Sequence, residues 1–249
     1  MIMKKFIPFY SNYVKVMSRI SALEMAFDYA LRSPEYIDEE AYAFNGQHHR
    51  KQIFQELVEA FDFRAILETG TFMGNTTGYM RKRVNCPVST CEFSSMFQSV
   101  AMSRLKKLSG IDFVLADSRK FLNQKLASES IKNSTGPIFF YLDAHWHDDL
   151  PLADEIRIIG ANVSECVVMI DDFEVQGDRA YSYDNYGIGK SLDMTTFQEK
   201  FLQAGMEVFF PSLSGAQETG GKRGCVVLCK GDRLSRDMDK IRSLRRINA

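Results

Sequence analysis

The sequence predicts an α/β fold: a doubly wound, mostly parallel sheet of seven strands with an antiparallel last strand, preceded by helices. Three observations predict it. From residue 63 onward, short apolar runs alternate with longer amphipathic segments. The runs are apolar at consecutive positions, as in strands covered on both faces. Five runs in succession end on a carboxylate, whereas a purely structural sheet has no reason to gather like charges at one rim.

Residues 1–62 read as a helical extension or lid ahead of one α/β domain over residues 63–249. In Val14–Leu31, apolar residues recur near three- and four-residue spacing (Val14, Met17, Ile20, Leu23, Met25, Phe27, Ala30, Leu31), and Ser33-Pro34 breaks the run. A second helix is predicted over His49–Phe61, with Ile53, Leu57 and Phe61 on one face. The predicted strands are 65–69, 88–92, 112–117, 138–143, 166–172, 206–210 and 225–230, with helices near 75–83, 94–108, 118–131, 151–162 and 190–204. Only a Gly-rich loop, Ser214–Gly224, separates the last two strands, so they are expected to form an antiparallel hairpin at the sheet edge. The basic stretch from Arg233 to Arg246 reads as a solvated helix.

The composition excludes several classes. With 45% hydrophobic residues in 249, the chain has enough apolar material for a sizeable core. Lys plus Arg number 31 against 32 Asp plus Glu, so general nucleic-acid binding is not expected. Five cysteines without a CxxC pair read as reduced core thiols of a cytoplasmic protein. No signal-peptide pattern is visible, and the longest apolar runs fall far short of the about 20 residues of a membrane span.

In open α/β sheets, ligands bind beyond the carboxyl ends of the strands. The first run ends Glu68-Thr69-Gly70 and continues Thr71-Phe72-Met73-Gly74-Asn75-Thr76. Its two glycines allow close backbone approach to a ligand, although a tight strand-to-helix turn would use them too. Phe72 replaces the middle glycine of the dinucleotide fingerprint, which weakens a phosphate-cradling reading. Glu92 lies where an acid commonly grips ribose hydroxyls. Asp117-Ser118 end the third run and Asp143 the fourth. Asp143, Asp171 and Asp172 form the sharper set, because neighbouring strand ends would bring three carboxylates together and Mg²⁺ would neutralise them. Turn capping by Asp171 and solvation of Asp172 is the alternative. His145 and His147 follow Asp143 closely and suit a general base. His48-His49 reads as a surface or capping pair.

At these residues a family resemblance emerges. The segment ILETGTFMGNTTGYM resembles the first motif of class I S-adenosylmethionine-dependent methyltransferases, in the form found in metal-dependent O-methyltransferases. FFYLDAHWHDDLP resembles the fourth-strand segment of catechol O-methyltransferase, and VVMIDDF its fifth-strand metal segment. The macrocin O-methyltransferase group, which methylates sugar hydroxyls on natural products, looks closer still. The resemblance covers residues 63–230 and implies a Rossmann-like sheet. It implies S-adenosylmethionine contacts from Glu68 and Gly70 at the methionine part, with Thr76 at the first helix, Glu92 on the ribose hydroxyls and Asp117 and Ser118 flanking the adenine. Thr71, Phe72, Phe93 and Asp143 are further implied cofactor contacts. Mg²⁺ would sit on Asp143, Asp171 and Asp172, with His145 as base and His147 in reserve.

The catechol enzyme's lysine has no counterpart here, and Asp172 stands in place of its asparagine. The implied acceptor is a hydroxyl of a small molecule or sugar, for which Tyr181, Tyr183 and Tyr186 are candidate contacts. Lys222-Arg223 could hold an anionic group or form a plain turn. A homodimer through the N-terminal helices is compatible with their amphipathic pattern. The competing readings are a nucleotide-dependent oxidoreductase and a non-catalytic protein on the same fold.

Overall fold

The computed structural model describes residues 38–145, 149–187 and 189–247. The predicted helix over Val14–Leu31, with the dimer surface it would offer, lies outside them, as does His147. One sheet organises the rest, in the order β3-β2-β1-β4-β5-β7-β6-β8. Its strands are β1 (Ala65–Thr69), β2 (Val88–Glu92), β3 (Ile111–Leu115), β4 (Ile138–Leu142), β5 (Cys166–Asp171), β6 (Glu207–Pro211), β7 (Cys225–Lys230) and β8 (Leu244–Arg246). The first five pair in parallel; β7 runs antiparallel to β5 and β6, and β8 antiparallel to β6.

The helices are α1 (Glu39–Tyr42), α2 (His48–Ala60), α3 (Asn75–Arg81), α4 (Ser95–Leu105), α5 (Ser118–Leu126), α6 (Glu129–Lys132), α7 (Leu152–Asn162), α8 (Met194–Gln203) and α9 (Asp232–Met238). Both sheet faces are covered, so each central strand supplies two cores at a period of two. From β4, Ile138, Phe140 and Leu142 pack with Phe121 and Leu122 of α5, Ile156 and Ile159 of α7, and Phe197 and Phe201 of α8. Phe139 and Tyr141 point the other way, into a core with Ile53, Phe54 and Leu57 of α2, Tyr79 and Met80 of α3, and Leu234 of α9.

Several expectations are corrected. The sheet has eight strands, because β8 follows α9 in the basic C-terminal stretch: the helix stops at Met238 and Leu244 turns inward. The last two long strands do pair antiparallel, but β7 inserts between β5 and β6, so neither is a free edge. The helix predicted over 118–131 breaks at Ala127-Ser128 into α5 and α6. Within residues 38–62, Phe44, Phe54 and Leu57 are fully buried in the core against the sheet. His49 is likewise buried, its backbone N–H donating to Glu218 at 3.0 Å. Among the described residues, no helix is long and apolar enough to cross a membrane.

Candidate active site

Strand order reverses between β1 and β4, and a cavity of about 780 Å³ opens at the carboxyl ends there. Gly70 makes that junction possible. Its φ is +88°, and a Cβ there would lie 2.3 Å from the Asp143 carbonyl oxygen, so no side chain fits between the ends of β1 and β4. The Asp143 N–H donates to Thr69 at 2.9 Å and closes the seam.

At one end of the cavity, the acids are held by the chain itself. Glu92 accepts from the Phe72 N–H at 2.8 Å and the Ser94 N–H at 2.9 Å, one bond per carboxylate oxygen. Each oxygen keeps a lone pair for a hydroxyl donor. Asp117 caps α5, accepting from the Arg119 N–H at 2.9 Å. The Arg119 guanidinium also bridges Asp117 and Asp149, at 2.5 and 2.7 Å, and holds the Asp117 carboxyl below the usual carboxylate range. Apolar surface comes from Phe72, which stacks against Phe97 with centroids 4.6 Å apart, and from Phe93, which is 82% exposed at the mouth. A flat ligand surface would cover the exposed Phe93 ring.

The other end is different. Asp143, His145 and Asp172 present ligand-type atoms that all lie within 4.8 Å of one another. His145 is only 4% exposed, and neither ring nitrogen makes a hydrogen bond of full geometry among the described residues, although the Asp171 backbone lies close enough to favour the protonated ring. Burial lowers its pKa, so the imidazole is neutral at neutral pH. Burial and the neighbouring Asp171 and Asp172 charges raise the Asp143 carboxyl well above its ordinary value. Burial and Asp171 push Asp172 up to about 7. Asp172 sits at φ +55°, a left-handed conformation that aspartate tolerates better than most residues. Its carboxylate pairs with Arg223 Nε at 2.6 Å, and Arg223 also pairs with Asp184.

Asp171 does not join the cluster. It faces the opposite layer, fully buried, and pairs with the equally buried Arg50 of α2. Tyr141 donates to it at 2.5 Å and Asn45 at 3.2 Å. Burial by itself would raise its pKa, but the Arg50 charge and the Tyr141 hydrogen bond outweigh that and hold it below the carboxylate range. Of the predicted Asp143–Asp171–Asp172 set, the structure brings Asp143 and Asp172 together beside His145 and turns the Asp171 side chain to Arg50.

Of the other predicted residues, Gly70, Phe72, Glu92, Phe93, Asp117, Ser118 and Asp143 line the cavity, while Glu68, Thr71 and Thr76 do not. Glu68 is fully buried and accepts from Thr77 at 2.5 Å; burial pushes its pKa up to about 7. Thr71 bonds Thr90 at 2.6 Å. Thr76 accepts the Phe44 N–H at 3.0 Å, which secures the turn ahead of α2. These three have protein partners in the structure. Tyr181 is buried, donating to the Leu213 carbonyl at 3.1 Å, whereas Tyr186 bonds Asp184 at the rim. Arg223 lines the cavity with two of its nitrogens already paired to Asp172 and Asp184.

The sequence reading missed Arg50. Its signal was present: Arg50 shares one helical stripe with Ile53, Phe54 and Leu57, and a cation on an apolar stripe needs a buried partner.

This strand order, with its ligand-sized cavity at the β1–β4 junction, is the fold of the class I S-adenosylmethionine-dependent methyltransferases. Among solved structures, the chain is similar to the O-methyltransferase from Bacillus cereus in complex with SAH (16% identity, TM-score 0.51). It is also similar to the O-methyltransferase TomG from Streptomyces achromogenes, involved in tomaymycin synthesis and solved in complex with SAM (16% identity, TM-score 0.54). Each alignment covers 73% of this chain and 80% of the other. No protein-family model and no curated protein matches the sequence.

Proposed function

We propose that the protein is an S-adenosylmethionine-dependent O-methyltransferase acting on a hydroxyl of a small molecule, with a sugar or glycoside as the favoured class. The observation that carries this reading is the two-ended cavity. One end offers hydroxyl acceptors beside exposed aromatic surface; the other gathers two carboxylates and an unpartnered imidazole. The first end suits a nucleoside, with Glu92 taking the ribose hydroxyls, Phe93 covering the base, and Ser118 at its edge. The open backbone at Gly70 lets the cofactor's amino-acid part pass close to the junction of β1 and β4.

Asp143 and Asp172 fit a divalent cation, since an unpartnered buried nitrogen and two acids converge without a hydrogen bond between them. Such a cation supplies Lewis acidity that lowers the pKa of a hydroxyl beside it. The residues around it align the acceptor with the methyl sulfonium, and much of the rate would come from holding two substrates in line. Arg223 favours the ionised form of Asp172, and Arg50 offsets the charge of Asp171.

Calorimetry with S-adenosylhomocysteine tests the reading. Micromolar binding is expected, and no heat at millimolar ligand would refute it. NAD(H) competing equally would favour the oxidoreductase alternative. A mass-shift screen of glycans and phenols, scoring the gain of one methyl group, would then identify the acceptor.

A further inference from the structure

We infer that His145 is a metal ligand, so that Asp143, His145 and Asp172 form a nitrogen–oxygen–oxygen set that selects a first-row transition ion such as Mn²⁺ over Mg²⁺. The inference rests on the methyl-transfer reading for the ion's purpose, while the ligand set itself rests on geometry. Three observations carry it.

The first is the orphaned imidazole. A buried polar group without a partner costs about 1–3 kcal/mol and calls for an explanation. Both His145 nitrogens are in that state, with two acids close by and no hydrogen bond to either. A general base normally has its second nitrogen oriented by a fixed acceptor; here the Asp171 backbone is beside the ring but makes no bond of full geometry. A metal ligand explains the arrangement, because the group that satisfies the lone pair is the ion.

The second is spacing. Donor atoms sharing one small divalent ion, at bonds of about 2.1 Å, lie no more than about 4.2 Å apart. The three side chains offer atoms within 4.8 Å of one another before any ion draws them in. Asp172 can keep one oxygen on Arg223 and turn the other to the cluster, since a carboxylate has two.

The third is the loss of Asp171. Its oxygens are taken by Arg50, Tyr141 and Asn45, which removes the third hard oxygen ligand. Mg²⁺ is held by oxygen ligands and dehydrates reluctantly, whereas imidazole suits softer first-row ions. Exchanging a carboxylate for an imidazole moves the site toward those ions. Three protein ligands also leave positions open for an acceptor.

The test uses the full chain loaded with Mn²⁺. Pulsed electron paramagnetic resonance should show ¹⁴N coupling to the Mn²⁺, and that coupling should vanish in His145→Gln. Competition calorimetry should show Mn²⁺ binding at least about tenfold more tightly than Mg²⁺, with His145→Gln reducing the preference. Mn²⁺ bound without nitrogen coupling, equal affinities for the two ions, or no Mn²⁺ uptake would each overturn the assignment. If His145→Gln does not fold, Asp172→Asn replaces it: Mn²⁺ affinity should fall while the coupling persists, and unchanged affinity overturns the site.

S-adenosylhomocysteine binding, measured on the same preparation, separates the two readings. Nitrogen-coupled Mn²⁺ with no S-adenosylhomocysteine binding defeats the methyl-transfer reading alone. The reverse result defeats the ligand assignment alone.

Discussion

The two ends of the cavity use the same residue types in opposite ways. Around β1–β3, Glu92 and Asp117 already accept backbone N–H groups, and Arg119 covers Asp117. Around β4–β5, Asp143 and His145 meet almost nothing from the chain that would balance or bond them. A satisfied carboxylate reads the geometry of a neutral polar ligand. An unsatisfied cluster is built for charge that arrives from outside. The same contrast runs through the thickness of the sheet: Asp171 and Asp172 are adjacent in sequence, yet one is paired to a buried arginine and the other faces the cavity.

Breaking the Arg50–Asp171 pair should have the largest effect. Arg50→Met leaves a buried aspartate without its cation, which should cost about 3–5 kcal/mol of stability by urea unfolding. A loss below about 1 kcal/mol would mean Asp171 is not dependent on Arg50. Next, Asp143→Asn should lower methyl transfer by about 10²–10³-fold, measured on the acceptor the mass-shift screen finds. Its S-adenosylhomocysteine affinity should stay within about tenfold of wild type; an equal fall in both would erase the distinction between the two ends.

Glu155 of α7 sharpens the contrast through pH. It is fully buried beside the Ser118 and Thr69 hydroxyls, and burial pushes its pKa up to about 7. The folded protein therefore keeps this proton while the unfolded chain releases it near pH 4.5. Stability from this group is complete below about pH 4.5 and falls as pH rises to about 7. Glu155→Gln should flatten that slope and stabilise the protein at pH 8 by roughly 3 kcal/mol at most. A urea-unfolding pH series unchanged by the substitution would remove Glu155 from this account. The smallest effect is expected at the satisfied end, where Glu92→Gln should weaken S-adenosylhomocysteine by about tenfold, through one lost charge-assisted hydrogen bond.

The strands were legible because they are continuous apolar runs: β1, β2 and β7 start and end where the pattern places them. The short β8 was not, because a three-residue strand in a basic stretch has no period to detect. At the site, strand-end acids marked the rim correctly, since topology alone puts them there. What topology does not specify is which way a side chain turns at the end of β5. That depends on Arg50, which lies 121 residues earlier in the chain. The direction of the Glu68 side chain was not legible for a related reason. Its spacing fits a cofactor motif, while its side chain is drawn inward by Thr77.

Arg50 also has a consequence for how the chain is made. Its guanidinium holds Asp171 and the backbone carbonyls of Arg223 and Gly224, up to 174 residues downstream. Helix α2 leaves the ribosome long before these partners exist, so its charged side chain must stay in water until β5 and the start of β7 have been synthesised. Contacts of such long sequence separation form slowly. Docking of the amino-terminal segment then becomes a late event, and nascent chains that stop short of Gly224 should lack the native core on that face of the sheet.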